Sequence, residues 1–394
     1  MLKVSHLSGK LAVGAQYFVY FGVMGIFLPY FNLYCYHLGF NGFQIGVLSA
    51  LRSMALILFP LIWGGLADRY QKRRAIYIGC TFMSAGLWAF YLFTADFRLM
   101  VILTIFYGIF YAPIISFLEA FSMEVLGHEK NSYGQVRAWG SISFIGIVVG
   151  VGKIIELYPI RMILWLILTG SALMAVISFG IPEVRKHQGN SFRKQIDAFL
   201  NRRVTVFLLC GFLMLVSHGA YYGFFSIHLE KLGYGSTFIG ASWALASIAE
   251  IMVMIASNRI FRRFSQIHVL FFSFMAAALR WLALYYVRSP LSILATQVLH
   301  AFSYGTFHMA SILYIDLLTP IENKTLGQAV NNAVSYGTGL MIGFLISGYL
   351  YERLDTAGLF LISSLIAAAG GVLIKGFVLK NGHDNPLKND TLNE

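Results

Sequence analysis

Uncharged apolar runs recur from one end of the chain to the other, and at about 20 residues each they are long enough to cross a bilayer as helices. Only 12% of the 394 residues are charged, whereas a soluble domain carries about 25%. The runs are continuous instead of alternating apolar and polar positions, which excludes an outer-membrane β-barrel. The chain is therefore predicted to be an all-α membrane protein and not a soluble fold.

Short polar turns divide the apolar runs into twelve predicted transmembrane helices. Only helices satisfy their own backbone hydrogen bonds in lipid over such lengths. A polar stretch lies near the midpoint, so we predict a six-helix bundle at 1–181, a cytoplasmic loop at 182–203 and a second six-helix bundle at 204–394. The predicted helices lie at 11–37, 42–67, 74–95, 98–126, 134–157, 160–181, 204–230, 235–260, 266–287, 290–318, 327–351 and 356–379.

Basic residues collect on one predicted side of the membrane. The termini and the turns after even-numbered helices hold 20 Lys and Arg, and the opposite turns hold six. The larger set includes the six of the central loop, Arg185, Lys186, Arg193, Lys194, Arg202 and Arg203. Because basic residues concentrate in cytoplasmic loops, we expect both termini in the cytoplasm and the protein in the inner cell membrane. The net charge of +12 is then a signal of orientation, and no nucleic-acid partner is expected.

Motifs for cofactors and metals are missing from the sequence. Cys35, Cys80 and Cys210 have neither C-x-x-C nor metal-ligand spacing. No nucleotide-binding loop of the form G-x-x-x-x-G-K-[ST] occurs, which argues against transport driven by ATP. The apolar run after Lys10 is too long for a signal peptide and is interpreted as the first span. We expect no cofactor, no metal and no enzymatic activity.

Short sequences of the first half recur in the second half. Leu38-Gly39-Phe40 and Ile45-Gly46 return 194 residues later as Leu232-Gly233-Tyr234 and Ile239-Gly240. Tyr107-Gly108 and Glu119 return at an offset of 197 as Tyr304-Gly305 and Asp316. Four matches in order indicate an internal repeat, and hence two related six-helix halves.

The turn between the second and third predicted helices carries a recognisable motif. Its sequence at 64–74 is GGLADRYQKRR, which resembles the major facilitator signature G-x-x-x-D-R-x-G-x-R-R, with Gln71 at the place of a glycine. That resemblance implies two helical bundles with a solute site between them and transport by alternating access. It also implies a gating role for this turn, in which Asp68 pairs with nearby cations. The gating residues are then Gly64, Asp68, Arg69 and Arg73.

Ionisable residues lie well inside six of the predicted spans. Each costs about 2.5 to 3.5 kcal/mol at the centre of a bilayer, so they are expected to face a cavity or each other. Arg52 is a candidate to bind a solute carboxylate, with pairing to an acid of a neighbouring helix as the alternative. The six residues are Arg52, Glu119, Arg137, Glu250, Arg280 and Asp316.

The segment from Glu119 to Ser141 resembles the lactose permease, nucleoside and phenylpropionate proton symporter group of the major facilitators. In that group a Glu and an Arg at this spacing bind solute, and an aromatic ring seven residues after the Arg covers it. The resemblance therefore places Glu119, Arg137 and Phe144 in the solute site. Tyr30 is a further aromatic candidate for the same site, and a structural ion pair between Glu119 and Arg137 is the alternative.

The resemblance also extends to residues for proton coupling. Arg280 and His300 match an arginine and a histidine that take part in proton movement in that group, whereas Ser303 stands where the group has a proton-carrying Glu. Glu250 is therefore our first choice for the coupling acid and Glu119 the second. His308 lies eight residues after His300, on nearly the same helix face, so both histidines are candidates to line the solute site.

Together these features predict a secondary active transporter that couples protons to the symport of a small organic solute, with an aromatic or other monocarboxylate favoured. A sugar or nucleoside symporter and a proton-driven exporter are the alternatives. A channel and a membrane enzyme, from other classes, are less well supported. The expected partners are the solute, protons and the lipid bilayer, and the protein is expected to be a monomer.

Overall fold

The computed structural model describes residues 2–183, 201–320 and 323–379, and every regular element in these ranges is helical. The predicted all-α class is confirmed. Four of the six basic residues of the predicted central loop, Arg185, Lys186, Arg193 and Lys194, lie outside the described residues, and the other two begin a helix. The first six helices are α1 (Leu2–His37), α2 (Gly42–Tyr70), α3 (Arg73–Ala89, extended by the 3-10 turn Phe90–Phe93), α4 (Phe97–Leu126), α5 (Tyr133–Leu157) and α6 (Met162–Ser178).

The second six helices include three that change their winding. The helix α10 consists of Pro290–Val298, a π-helical turn at Ala301–Gly305 and Thr306–Leu318. Helix α11 begins with Lys324–Asn331 and the π-helical segment Asn332–Gly339. The segment Leu340–Leu373 is interrupted at Asp355, which separates the end of α11 from α12, and α12 ends in the π-helical turn Ile374–Leu379. The remaining three are α7 (Arg202–Lys231), α8 (Ser236–Arg263) and α9 (Gln266–Tyr286).

Length and hydropathy make nine helices of the described residues candidate membrane spans. One of them, Leu326–Gly376, contains the Asp355 interruption and so covers two predicted spans. The apolar helix Met162–Ser178 is shorter, and α10 is divided by its π-helical turn. These helices account for all twelve predicted spans, and the chain is a multi-pass membrane protein.

The chain forms two compact units. Unit 1 contains residues 2–183 together with Gly219–Ser247 and Phe344–Thr356, and unit 2 contains 201–218, Ile248–Gly343 and 357–379. Unit 1 thus includes the end of α7, the start of α8 and the last turns of α11. The division of the chain at 182–203 into two bundles stays a prediction.

Aromatic side chains form the centre of unit 1. Trp88 is fully buried, and its indole nitrogen donates a hydrogen bond to the Leu164 carbonyl at 2.9 Å. The centre of its ring lies 4.6 to 5.7 Å from the ring centres of four neighbours, Phe27, Phe31, Tyr91 and Tyr107. Aromatic pairs at these distances stabilise a core beyond their burial alone.

Unit 2 is built around Trp281 of α9. Its ring is fully buried and stacks on Phe360 with ring centres 6.1 Å apart. Its indole nitrogen donates to the Ser217 hydroxyl at 3.3 Å, and the His218 ring lies edge-on at 4.9 Å. This core holds α7, α9 and α12 around the buried Arg280 next to Trp281.

Candidate functional site

Arg52 of α2 faces a cavity of unit 1 whose walls come from α1, α2, α4 and the 3-10 turn after α3. The cavity contains about 540 Å³ of empty space, its mouth included. The Arg52 guanidinium lies 4.4 Å from the centre of the Phe27 ring, a distance at which a cation is attracted to an aromatic face. The other walls are mostly apolar or aromatic and include Phe31, Leu48, Tyr107 and Tyr111.

The charge of Arg52 has no acidic counterpart in the described residues. The groups that act on it electrostatically are the hydroxyls of Tyr91, Tyr107 and Tyr111 and the thiol of Cys35. No carboxylate of residues 2–183, 201–320 or 323–379 forms an ion pair with it within 4.0 Å. The alternative expectation, that Arg52 pairs with an acid of a neighbouring helix, is therefore not met in these ranges.

Tyr111 presents a buried hydroxyl to the same cavity. Its ring stacks on Tyr20 with centres 5.5 Å apart, and the Tyr20 hydroxyl is its polar neighbour, although the two do not form a well-aligned hydrogen bond. By contrast, the Tyr91 hydroxyl lies 2.8 Å from the Thr104 hydroxyl. The polar groups around Arg52 are therefore phenol hydroxyls, which carry no formal charge to balance the guanidinium.

Glu119 and Arg137 lie near each other but do not form the direct ion pair that was the alternative to a solute site. The Arg137 guanidinium lies 3.8 Å from the centre of the Phe21 ring and 5.4 Å from that of Tyr17. It is near enough to act electrostatically on Glu119. In the described part of the chain neither residue has a salt-bridge partner within 4.0 Å, so a direct structural pair does not account for them.

Phe144 and Tyr30 lie in helix contacts. The Phe144 backbone meets α1 at Gly25, where a Cβ would lie 3.0 Å from the Phe144 carbonyl oxygen. Tyr30 is fully buried, and its hydroxyl donates to the Val148 carbonyl at 2.7 Å and lies 3.3 Å from the Ser236 carbonyl. Because this hydroxyl is already paired, the structure places Tyr30 in a contact between helices instead of beside Arg52.

In unit 2 the fully buried Arg280 organises a polar cluster. Its Nε donates to the Thr296 carbonyl at 2.9 Å, and its Nη2 donates to Gln297 Oε1 at 3.0 Å. Its Nη1 lies 2.8 Å from His300 Nδ1. Arginine is only a donor, so the Nδ1 atom of His300 must accept this hydrogen bond.

That hydrogen bond fixes the chemistry of the His300 ring. With Nδ1 accepting, His300 is neutral and carries its proton on Nε2. Nε2 lies 3.8 Å from the Glu250 carboxylate. The structure brings together Glu250, Arg280 and His300, three of the residues that the sequence singled out for proton coupling.

His308 lies close to this cluster along α10. His300 and His308 stack on Tyr304, with ring centres 5.1 and 6.0 Å away and nearly parallel planes. His308 Nδ1 lies 2.7 Å from the Tyr336 hydroxyl of α11. The two histidines therefore lie on the same side of α10, and Tyr304 and Tyr336 are cluster residues that the sequence did not identify.

The turn after α2 forms a small ion-pair network. Arg73 donates to Asp68 at 2.5 Å and to Glu124 of α4 at 3.0 Å. Arg69 lies over the ring of Tyr70 at 5.8 Å, and a Cβ at Gly64 would contact nothing within 4 Å. The pairing of Asp68 with a nearby cation is present, and its role in gating stays a prediction.

Asp316, the last embedded ionisable residue, pairs with Lys324 at the start of α11. Both side chains are about two-fifths exposed. The pair accounts for the charge of Asp316 without a solute.

Two equivalent close contacts join helices of unit 1, and we call them the α2–α11 contact and the α5–α8 contact. At the first, a Cβ on Gly46 would lie 2.6 Å from the Phe344 carbonyl, and one on Gly348 would lie 2.6 Å from the Gly42 carbonyl. At the second, a Cβ on Gly152 or Gly240 would lie 2.5 Å from a backbone oxygen of the other helix. Only glycine allows backbones to approach this closely.

A glutamate completes each contact. Glu352 of α11 accepts a hydrogen bond at 2.9 Å from the backbone N–H of Gly42, the first residue of α2. Glu156 of α5 accepts one at 3.0 Å from the N–H of Thr237, in the first turn of α8. Carboxylates are stabilised at helix N-termini by the unpaired N–H groups and the helix dipole. The repeat pointed to Gly46 and Gly240, whereas sequence reasoning missed Glu156 and Glu352.

Comparison with known proteins gives one family for almost the whole chain. The MFS_1 like family model matches residues 11–362. The probable 3-phenylpropionic acid transporter of Escherichia coli is 28% identical over 369 residues, which cover 91% of this chain and 94% of the relative. The maltose permease of Geobacillus stearothermophilus is 24% identical over 362 residues, which cover 91% and 92%.

Solved structures of other transporters have the same fold as this chain. A mutant of the nucleoside transporter NupG superposes with a TM-score of 0.86 at 17% identity, over 93% of this chain and 99% of that one. A bacterial homologue of the human lysosomal transporter Spinster, in an inward-facing conformation, superposes with a TM-score of 0.68 at 12% identity, over 94% and 95%. Taken with the match over 11–362, the chain is a membrane transporter and not an enzyme, and it belongs to the MFS_1 like family.

Proposed function

We propose that this transporter couples the downhill movement of protons to the symport of a small organic solute, with an aromatic or other monocarboxylate as the favoured solute. The observation that carries the proposal is the Glu250–His300–Arg280 cluster of unit 2. A carboxyl group inside a membrane span can be neutral or charged depending on its access to water, which is what proton coupling requires. The charge and aromatic walls around Arg52 favour an anionic, ring-containing solute.

The geometry supports Glu250 as the residue that carries the coupling proton. Arg280 donates to His300 Nδ1, which leaves the ring neutral, and His300 Nε2 lies 3.8 Å from the Glu250 carboxylate, so Glu250 is the group of the cluster best suited to take up a proton. Protonation removes the negative charge next to His300 and changes what the cluster can bind. Glu119, near Arg137, is the second candidate for the same role.

We propose that the solute crosses the membrane by alternating access. The protein is proposed to be a monomer in the inner cell membrane, with both termini in the cytoplasm. The α2–α11 and α5–α8 contacts support alternating access, because two equivalent close contacts between helices of unit 1 can open and close as a pair. The 20 basic residues on one predicted side against six on the other support the orientation. The residues of unit 1 that we propose to bind solute are Arg52, Glu119 and Arg137.

The names of relatives favour the substrate class and provide an alternative. One relative is a probable 3-phenylpropionic acid transporter, which agrees with a monocarboxylate. Others are a maltose permease and a putative nucleoside transporter of Escherichia coli, 24% identical over 336 residues, so a sugar or nucleoside symporter is the second candidate. Export driven by protons is the third.

Replacing Glu250 with Gln tests the coupling. Labelled 3-phenylpropanoate is added outside proteoliposomes with an imposed pH gradient, alkaline inside, and uphill accumulation above that of protein-free liposomes is measured. We expect the wild type to concentrate the solute, and Glu250→Gln to equilibrate it without concentrating it, because the amide cannot take up the proton. Exchange of labelled for unlabelled solute, which needs no net proton movement, should remain.

Glu183→Gln is the control, since Glu183 is an exposed carboxylate at the end of the first half. It should accumulate solute as the wild type does. Uphill accumulation by Glu250→Gln would show that Glu250 is not the coupling acid, and Glu119→Gln would then be tested in the same way.

A further inference from the structure

A row of hydrogen-bonded polar side chains lies between α10 and α11 of unit 2. His308 Nδ1 lies 2.7 Å from the Tyr336 hydroxyl, and Ser311 is the other hydrogen-bonding neighbour of that hydroxyl. The Asn331 amide donates to the Ser311 hydroxyl at 3.1 Å and accepts from the Ser335 hydroxyl at 3.1 Å. We call this row the α10–α11 polar seam, and its members are Tyr304, His308, Ser311 and Asp316 of α10 and Lys324, Gln328, Asn331, Ser335 and Tyr336 of α11.

The seam leads from Glu250 to the end of α10. A Cβ at Gly305 of α10 would lie 3.4 Å from Glu250 Cγ, so α8 packs directly on α10 at this carboxylate. Glu250 is also near enough to act electrostatically on Tyr336. The far end of the seam is the Asp316–Lys324 pair, whose side chains are about two-fifths exposed. In the proposed orientation α10 runs towards the cytoplasm, so this end meets the cytoplasmic water.

Helix α7 covers the middle of the seam. A Cβ at Gly211 of α7 would collide with the Ser335 hydroxyl and would lie 3.8 Å from the Asn331 Oδ1 atom. Ser311, Asn331 and Ser335 are all buried. The polar groups of the seam are therefore enclosed by helices and bond to each other.

Both helices have π-helical winding where the seam approaches Glu250. Tyr304 lies in the π-helical turn Ala301–Gly305, and Tyr336 lies in the π-helical segment Asn332–Gly339. Such winding accounts for less than about 1% of residues in proteins and is frequent at functional sites. Polar side chains bond ordinary α-helices to each other in membranes, so helix packing alone does not account for two π-helical segments at this place.

The two histidines that stack on Tyr304 differ in what their Nδ1 atoms can accept. Arg280 donates to Nδ1 of His300, which leaves that atom no lone pair for a proton. Nδ1 of His308 faces the hydroxyl of Tyr336, and a hydroxyl both donates and accepts. Since histidine titrates near neutral pH, His308 is the member of the seam that is suited to take up and release a proton.

We propose that His308 carries the coupling proton from Glu250 towards the cytoplasm, with the Tyr336 hydroxyl as the bridge between them. The protonated Glu250 loses its proton and becomes a carboxylate. The Tyr336 hydroxyl receives one proton and gives its own to His308 Nδ1, and the resulting imidazolium releases its Nε2 proton to water at the cytoplasmic side. This role rests on the proposed proton symport and extends it, because that function names no residue for the exit of the proton.

The test compares net entry of solute with exchange in proteoliposomes that have the same pH on both sides. The probe is labelled 3-phenylpropanoate, and entry into protein-free liposomes is subtracted. Net entry requires the transporter to release its proton inside and to return empty, whereas exchange of labelled for unlabelled solute does not. We expect His308→Gln to slow net entry at least about tenfold and to leave exchange unchanged. Positioned proton-transfer groups contribute about 100- to 10,000-fold, and conformational steps limit how much of this appears.

Added imidazole separates a proton-carrying role from a structural one. His308→Ala opens space at a half-buried position, and imidazole at equal concentration on both sides should restore part of its net entry without affecting the wild type. Tyr336→Phe removes only the bridging hydroxyl and should also slow net entry, without rescue by imidazole.

Two control variants match these substitutions. Ser311→Ala removes a hydrogen bond between α10 and α11 but no group that titrates near neutral pH, and its net entry should stay near that of the wild type. His268→Gln removes an exposed histidine that bonds to Ser265 at the start of α9, and it should have no effect.

Three results would overturn the role of His308. The first is net entry at the wild-type rate in His308→Gln. The second is equal slowing in Ser311→Ala, or slowing in His308→Ala that imidazole does not restore, since the seam would then only hold α10 to α11. The third is loss of exchange together with net entry in His308→Gln, which would assign His308 to binding or folding.

Accumulation under an imposed pH gradient distinguishes this failure from failure of the proposed symport. His308→Gln should reach the wild-type level of accumulation more slowly, because a proton relay changes the rate and not the driving force. If the wild type does not accumulate solute above protein-free liposomes, the symport proposal fails. If the wild type accumulates it and His308→Gln does so at the same rate, only the role of His308 fails.

Discussion

At the residue scale, Gln71 explains how the turn after α2 tolerates a departure from the major facilitator signature. Gln71 caps α2 in the left-handed region, with φ 55° and ψ 35°. This region favours glycine, which the signature has here, and costs other residues about 1 to 2 kcal/mol. The Gln71 side chain donates to the Asp68 carbonyl, which offsets part of that cost. The turn therefore keeps the geometry that a glycine would give.

Substitutions at Gln71 should follow the left-handed geometry. Gln71→Gly should change stability little, because relief of strain is offset by the lost hydrogen bond and by greater freedom in the unfolded chain. Gln71→Val should be less stable than Gln71→Gly by about 1 kcal/mol or more, since β-branched residues are rare at positive φ. Thermal unfolding of the purified proteins measures the order. Lys72→Val is the control, at φ −125° in the same turn, and equal melting of Gln71→Val and Gln71→Gly would refute the account.

The sequence reveals a site residue when residues of its type are rare inside membrane spans. Arg52, Glu250 and Arg280 stand out because charge is scarce inside the spans. Tyr111 does not, because 16% of the chain is aromatic and packing uses most of it. The lack of an acid beside Arg52 is a property of the packed helices, and no spacing in the sequence reports it.

At the scale of the element, the sequence predicts where helices lie but not how they wind or what their ends contact. Hydropathy places the helices, because lipid requires long apolar runs, but the π-helical turn at Ala301–Gly305 and the break at Asp355 have no apolar signal. Glu156 and Glu352 lie at the ends of α5 and α11, where acids are ordinary in water-facing turns. The two glutamates are 196 residues apart. Their equivalence becomes evident only because each accepts a backbone N–H at the N-terminus of another helix.

Removing a glutamate should loosen the contact that it completes. Glu352→Ala leaves the N–H of Gly42 without its acceptor, which should weaken the α2–α11 contact by about 1 kcal/mol or somewhat more. Spin labels are attached at Phe43 of α2 and Arg353 of α11, both exposed, in a background without Cys35, Cys80 and Cys210. Double electron-electron resonance then measures the distance between the two labels. We expect a larger population of long distances in Glu352→Ala.

The equivalent contact and an unrelated acid provide the controls for this measurement. Adding Glu156→Ala to Glu352→Ala should increase the long-distance population further, because the two contacts join helices of the same unit. Glu183→Ala, at an exposed acid, should not change the distribution. An unchanged distribution in the double variant would mean that these carboxylates do not hold the contacts closed.

At the scale of the whole molecule, two kinds of site share one chain. Unit 1 holds an unpaired cation in an aromatic cavity, and unit 2 holds a carboxylate beside a neutral histidine that a buried arginine fixes. The sequence predicts the twelve helices and the fold class well, since composition and lipid leave few other solutions. It does not predict that the end of α7, the start of α8 and the last turns of α11 belong to unit 1, because that depends on glycine contacts between distant segments.

The central claim is that solute and protons enter together, and solute-driven proton movement tests it most directly. 3-Phenylpropanoate is added to weakly buffered proteoliposomes with the membrane potential clamped, and external pH is recorded. Protein-free liposomes correct for permeation of the neutral acid. The account predicts alkalinisation beyond this baseline for the wild type, and none for Glu250→Gln, although that variant still exchanges labelled solute. Entry of labelled solute through the wild type with no proton movement above the baseline would contradict the account.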